Sequence, residues 1–268
     1  MELVAASSVR VSECCKHHTL VKPVDINHYS LSTALWHIGC PYQVVHHSMQ
    51  LVSRVIGGVV GALVTIRYGL GLYAWRVSEL LERPKYSVVE KFGGIEVRAY
   101  DAYVVAEATM KATPMKQATG KGFGACAGYI FGGKNRVRGI SLKKTSRSMS
   151  MTAPVRIEES SRATKVSFVM SANETVRSLP VPTDSSMALR QIKPHTAAFV
   201  RFSGKPPSEQ RVAKERARLE EALAKHGYEV RRPEETLTYG YHDPFATPNL
   251  LRRNEVGLYV AKKRTWTV

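Results

Sequence analysis

Between residues 86 and 260 the chain passes twice through one order of elements: short alternating strands, then an amphipathic helix that stops at glycine. That order restricts the fold more than any other feature. In the first pass residues 86–91, 96–100 and 103–109 read as strands of a hairpin or meander, with Gly93-Gly94 as a turn. A helix follows from about Lys116, where Phe123, Cys126, Ala127, Ile130 and Phe131 recur at i, i+3, i+4, i+7 and i+8 until Gly132-Gly133. In the second pass residues 187–192 and 197–202 flank a turn at Lys193-Pro194-His195. The next helix opens near Ser208, sets Val212, Leu219, Leu223 and His226 on one side, and ends at Gly227. Residues 165–171, 236–241 and 255–260 supply further strands. Hairpin then helix, twice, predicts an α+β domain with an internal pseudo-repeat. Gly120, Gly122, Gly124 and Gly128 each cost the first helix ~1 kcal/mol relative to alanine, so something must approach it closely.

Two different stretches precede this domain, which is expected over residues 84–268. Residues 55–75 are apolar except for Arg67 and exceed the ~20 residues that span a bilayer. Arg67 would cost about 2.5–3.5 kcal/mol at the bilayer centre, and the Val, Ile and Leu side chains offset it. Residues 51–83 are therefore expected to form a membrane-anchor helix and linker, with Gly57 and Gly61 spaced for close helix approach. Basic residues flank the stretch on both sides, so charge bias does not choose the side of the membrane or the organelle. Residues 1–50 balance Arg10, Lys16 and Lys22 against Glu2, Glu13 and Asp25, and they hold His17, His18, His28, His37, His46 and His47. They are expected to form a neutral, poorly ordered leader, neither a secretory signal nor a transit peptide.

The whole formal charge of +17 thus resides after residue 50. The densest basic run, Lys134, Arg136, Arg138, Lys143, Lys144 and Arg147, lacks the interleaved aromatics of a single-strand binding platform, and no nucleic-acid partner is expected. Cys14, Cys15, Cys40 and Cys126 fit neither a disulfide framework nor zinc spacing, and no Cys-x-x-Cys-His is present for covalent heme. There is no Gly-x-Ser-x-Gly, His-Glu-x-x-His or Walker sequence, and Gly120-x-Gly122-x-x-Ala125 lacks the leading strand and following acid of a dinucleotide loop. The chain does not read as an enzyme.

Several segments carry a family resemblance by their order. They are Pro84-Lys85-Tyr86, Glu96-Val97-Arg98-x-Tyr100, Gly128-Tyr129-Ile130-Phe131-Gly132-Gly133, Met149-x-Met151-Thr152-Ala153-Pro154-Val155, Phe168-Val169-Met170, Leu179-Pro180-x-Pro182, Phe199-Val200-Arg201-Phe202-Ser203-Gly204 and Arg252-Arg253-Asn254-Glu255-Val256. From residue 84 to residue 260 the chain resembles the SOUL heme-binding family, its bacterial-type branch with a hydrophobic N-terminal segment in particular. The resemblance implies a distorted antiparallel β-barrel of two related halves, each flanked by a helix. It also implies noncovalent binding of heme or another tetrapyrrole in an apolar groove beside the first helix, as a carrier or buffer. Phe123, Ala127 and Ile130 would form the wall, and Arg98 and Lys134 would meet the propionates. Some members place a histidine between the Arg and Tyr of Glu-x-Arg-x-Tyr, whereas here that residue is Ala99. An iron ligand is therefore not inherited; His195 is the residual candidate, beside His226, His242 and Cys126. Cys40-Pro41 resembles the dipeptide of some heme-responsive proteins.

Met151 to Val155 contain no acid, base or nucleophile and read as structural, Pro154 fixing a strand edge while Met151 and Val155 pack inward. Two rival readings remain. The duplicated barrel resembles the GyrI-like ligand-binding fold, some members of which hydrolyse substrates; hydrolysis would need Glu90, Glu96 or Glu107 to converge in the groove. Alternatively the domain is a membrane-surface adaptor whose groove takes a peptide or lipid.

Overall fold

The computed structural model describes residues 41–111, 114–138 and 146–263, with backbone only for 41–48. The leader's cysteines and most of its histidines, Lys143 and Lys144 lie outside the described residues. The chain divides into two compact units, residues 1–60 and residues 61–268.

Helix α1, Pro41–Glu79, runs through 39 residues. Proline is at home in its first turn, where the missing N–H has no helical partner to lose. Within it, Met49–Glu79 is long and apolar enough to cross a membrane, its most apolar 18 consecutive residues having mean hydropathy 1.7. In the first unit the described side chains, residues 49–60, are all exposed.

The second unit, after the C-terminal part of α1, is an α+β fold. In chain order it contains β1 (Tyr86–Phe92), β2 (Ile95–Tyr100), β3 (Tyr103–Lys111), α2 (Met115–Ile130), β4 (Asn135–Arg136), β5 (Val155–Glu159), β6 (Ala163–Val169), β7 (Val181–Pro182), β8 (Met187–Ile192), β9 (His195–Phe202), α3 (Glu209–Lys225), β10 (Tyr228–Val230), β11 (Thr236–Gly240) and β12 (Asn254–Lys262). One curled antiparallel sheet has the order β1-β2-β9-β12-β11-β5-β6-β3-β8, with β10 added to β12. Exchanging β2, β3, α2, β5, β6 with β8, β9, α3, β11, β12 maps the path from β2 to β8 onto itself reversed. The pseudo-repeat is therefore a two-fold, with β11 and β5 meeting at its centre.

The hairpins of the sequence reading are half right. β1 and β2 do form one, closed by Gly93 and Gly94 at φ 53° and 77°, the positive values a tight primed turn demands. β2 and β3 do not pair, nor do β8 and β9. Instead β2 joins β9, with Arg98 opposite Ala197, and β3 joins β8, with Tyr103 opposite Ile192. Asp101-Ala102 and Lys193-Pro194 contain no glycine to take positive φ, so each pair of strands diverges and is exchanged between the halves.

Alternation along the strands gives the sheet two faces. On one, α3 buries Val212, Leu219 and Leu223 against Ile95, Val97, Ala198, Val200, Val256 and Leu258. Each such side chain contributes roughly 1.5–3 kcal/mol when fully buried. Ser208 caps this helix by accepting from the Arg211 N–H, and Gly227 at φ 71° ends it. On the same face α2 packs Cys126, Tyr129 and Ile130 over Ala106, Ala108 and Phe168. Gly122 explains the closeness, since a Cβ there would lie 2.6 Å from a Val166 methyl. The opposite face carries no helix and holds Tyr100, Phe199, Tyr239, Tyr241 and Tyr259. The Met151–Val155 segment is structural: Met151 and Val155 pack beside the α2 core, Thr152 bonds the Val169 carbonyl, and the Ala153 N–H donates to Glu82 O.

Candidate functional site

Helix α2 presents two surfaces. Its buried stripe is Met115, Ala118, Gly122, Ala125, Cys126, Tyr129 and Ile130. Its outer flank is Gly120, Phe123, Gly124, Ala127 and Phe131, residues that share one side at helical spacing. Phe123 is 41% and Phe131 63% exposed, and among the described residues nothing lies within 4 Å of a Cβ at Gly120 or Gly124. Phe123 leans its ring on Phe168 at 5.2 Å. Eight residues separate the two phenylalanines, about 12 Å along the axis, so the flank is an apolar strip on the scale of a macrocycle. Of the residues named from sequence, Phe123 and Ala127 sit on this flank, while Ile130 is core. Lys134 lies just beyond, its stem 3.0 Å from a Cβ built on Gly128 and its ammonium 3.1 Å from Asp184. The Ser186 hydroxyl and N–H, then Lys134, hold the Asp184 carboxyl down at about 2. Within the basic run Arg138 donates to Leu179 O and Arg147 pairs with Glu174.

Cys126 is on the stripe rather than the flank, its sulfur against the carbonyls of Ala106 and Val166. Burial pushes this thiol up to about 12, which keeps it protonated at neutral pH.

Arg98 is not beside α2. It lies on the helix-free face and clamps Glu255 with two hydrogen bonds of 2.7 and 2.9 Å, between the rings of Tyr86 and Phe199. Arg253 and the Tyr241 hydroxyl complete the set around Glu255. Burial pushes the Glu255 carboxyl up, but Arg98 and then Arg253 and Tyr241 outweigh it and hold it below its ordinary range. Arg98 is thereby engaged within the protein. It borders a cavity of about 440 Å³ that also touches Phe92, Arg201 and Arg253.

A second cavity of about 390 Å³ on that face is lined by Glu107, Arg156, Glu158, Arg190, His195 and Tyr259, among others. Arg156 donates to the Tyr259 hydroxyl, which donates to Glu158, and Lys165 reaches Glu158 at 2.6 Å. Burial opposes the Glu158 charge, yet Arg156 and Lys165 bring its carboxyl down to about 2. Glu107 meets Arg190 at 2.9 Å. Glu96 borders the first cavity but pairs with Arg98 and Lys91, and Glu90, outside both cavities, pairs with Lys262. Acids do converge on this face, but each is matched by a cation.

His195 is packed on Tyr100 at 5.2 Å and edge-on to Tyr259. Its Nδ1–H donates to Lys193 O, burial lowers its basicity, and its buried Nε2 has no hydrogen-bond partner among the described residues. His242 accepts the Arg253 N–H at Nδ1 and sets Nε2 3.1 Å from Glu79, while His226 stacks on Phe92. None of the three lies on the α2 flank. Among the described residues no group of three metal-ligating side chains forms. The tyrosine and ion-pair lattice escaped the sequence reading, although Glu96/Arg98/Tyr100, Arg156/Glu158 and Tyr239/Tyr241 signal it by spacing of two.

The family model described as SOUL heme-binding protein matches residues 81–259. Comparison with curated proteins finds no match. Similar solved structures include a hydrolase from Listeria innocua, 12% identical, covering 62% of this chain and 91% of that chain at TM-score 0.45. An uncharacterized conserved protein from Listeria innocua is 12% identical over 63% and 92% at TM-score 0.46. The EcmrR C-terminal domain is 10% identical over 66% and 98% at TM-score 0.45.

Proposed function

Because the chain belongs to the SOUL heme-binding protein family, we propose that it binds heme or another tetrapyrrole noncovalently on the outer flank of α2, and carries or buffers it without chemical change. The observation that carries this reading is the open strip between Phe123 and Phe131, with glycines 120 and 124 leaving room for a flat ligand against the helix. A tetrapyrrole needs a flat apolar wall and cations for its propionates. The wall fits. Lys134 serves one propionate by exchanging Asp184 for it, and the second falls to Lys121, an exposed cation of the same helix. Since no described histidine lies on the flank, the macrocycle and not the iron supplies the affinity. The domain does this at a membrane, to which α1 attaches it.

Hemin and iron-free protoporphyrin titrated into the detergent-solubilised chain should therefore bind with similar affinity, each shifting its Soret band. Covered phenyl faces contribute roughly 1–2 kcal/mol each, so replacing Phe123 and Phe131 together by alanine should weaken both ligands about 30- to 900-fold. Absence of a Soret shift ends the proposal; binding that ignores the double variant moves the ligand elsewhere.

A further inference from the structure

The apolar stretch of α1 contains a charge that the rest of the domain satisfies. Arg67 donates at 2.9 Å to the carbonyl of Phe245 and at 2.9 Å to that of Ala246. Four residues on, a Cβ at Gly71 would lie 2.8 Å from Pro248. Residues 245–248 thus lie directly along α1 from Arg67 to Gly71. This loop is braced: Asp243 Oδ1 accepts the N–H groups of Phe245 and Ala246, Arg252 bonds the carbonyls of Thr247 and Pro244, and Thr247 is fully buried. On that rigid frame Phe245 is 85% and Leu250 83% exposed. Holding two large apolar side chains in water on an ordered loop has no internal benefit.

The position decides the partner. Were residues 55–75 all within hydrocarbon, Arg67 and the irregular backbone it binds would lie about 12 Å below the domain-side surface, where a lipid-exposed loop does not occur. The crossing part of α1 must then be the stretch before Arg67. Residues 49–66 are exposed and span about 27 Å, close to the ~30 Å hydrocarbon thickness, with Arg54 extending its guanidinium toward the far headgroups. Tyr68, 59% exposed, and Tyr73, 70% exposed, follow Arg67 with Trp75, the aromatic composition of a membrane boundary.

We infer that the domain-side membrane boundary lies at Arg67 and that residues 243–251 are a second, interfacial contact, inserting Phe245 and Leu250 among the lipid headgroups beside α1. The inference rests on the membrane attachment proposed above and fixes its depth: the loop and the arginine act together as a stop that seats the domain on the bilayer surface.

The test uses the full chain with Cys14→Ser, Cys15→Ser and Cys40→Ser, reconstituted in phosphatidylcholine/phosphatidylglycerol vesicles. The buried Cys126 does not label. Single cysteines at Phe245→Cys, Leu250→Cys and, as a distant control on α3, Lys225→Cys carry an environment-sensitive NBD dye. The expected result is blue-shifted emission at 245 and 250, quenched by lipid spin-labelled near the headgroup, with water-like, unquenched emission at 225. Protein that floats with vesicles while all three labels remain water-like overturns the loop insertion alone. Protein that does not float overturns the membrane reading, and the inference with it.

Discussion

Arg98 and Glu255 are both almost fully buried, at 2% and 0% side-chain exposure, and meet through two parallel hydrogen bonds. Removing one partner of such a pair leaves an uncompensated charge and typically costs 3–5 kcal/mol. Arg98→Met should lower unfolding free energy by about that amount, whereas Arg98→Met with Glu255→Leu should recover much of it; urea unfolding of both variants checks this. Glu158 makes the second prediction. Its carboxyl lies at about 2 in the folded chain against 4.5 unperturbed, so the stability it supplies is complete above pH 4.5 and is lost as pH falls toward 2. The total is about 3 kcal/mol, and Glu158→Gln should flatten the acid limb of the stability profile in that window. That Phe123 and Ala127 share one side of α2 was legible from the sequence because helical spacing is local. The engagement of Arg98 was not, because its partner is 157 residues away and is set by the order of strands.

Helix α2 shows why its phase was misread. Cys126, Ile130, Phe123 and Phe131 look like one stripe, but the true contact line runs through Gly122, which no hydrophobicity pattern marks. Its glycines are consequently not equivalent. Gly122→Ala should destabilise by roughly 1–3 kcal/mol through overpacking against Val166, despite alanine's better helix propensity. Gly124→Ala, built into open space, should stabilise by up to about 1 kcal/mol. Opposite shifts of the thermal midpoint check the pair, and equal shifts would mean that α2 does not pack in this phase. The strands show a similar limit. Their alternation located them to within a few residues, but pairing depends on turn geometry, and only Gly93-Gly94 announced its hairpin.

On the scale of the whole molecule, the two-fold of the sheet leaves both helices on one face and both cavities on the other. The proposed ligand flank and the ion-pair lattice are therefore separated by the sheet itself. The repeat of elements was visible in the sequence because each half keeps its own period. The strand exchange between halves was not, because it appears only when both halves are assembled. Helix α1 divides likewise. From Arg67 onward it is held by the sheet domain: Arg67 bonds the 245–246 carbonyls, Gly71 abuts Pro248 and Glu79 faces His242. Removing residues 1–60 should therefore leave a chain that keeps its thermal midpoint and its tetrapyrrole affinity but floats poorly with vesicles. Removing residues 1–79 should also lower the midpoint, because the buried Arg252 loop loses its brace and His242 loses its carboxylate. Flotation and melting of the two truncations separate these effects. A 1–60 deletion that loses tetrapyrrole binding would show that α1 belongs to the ligand site and not only to the anchor.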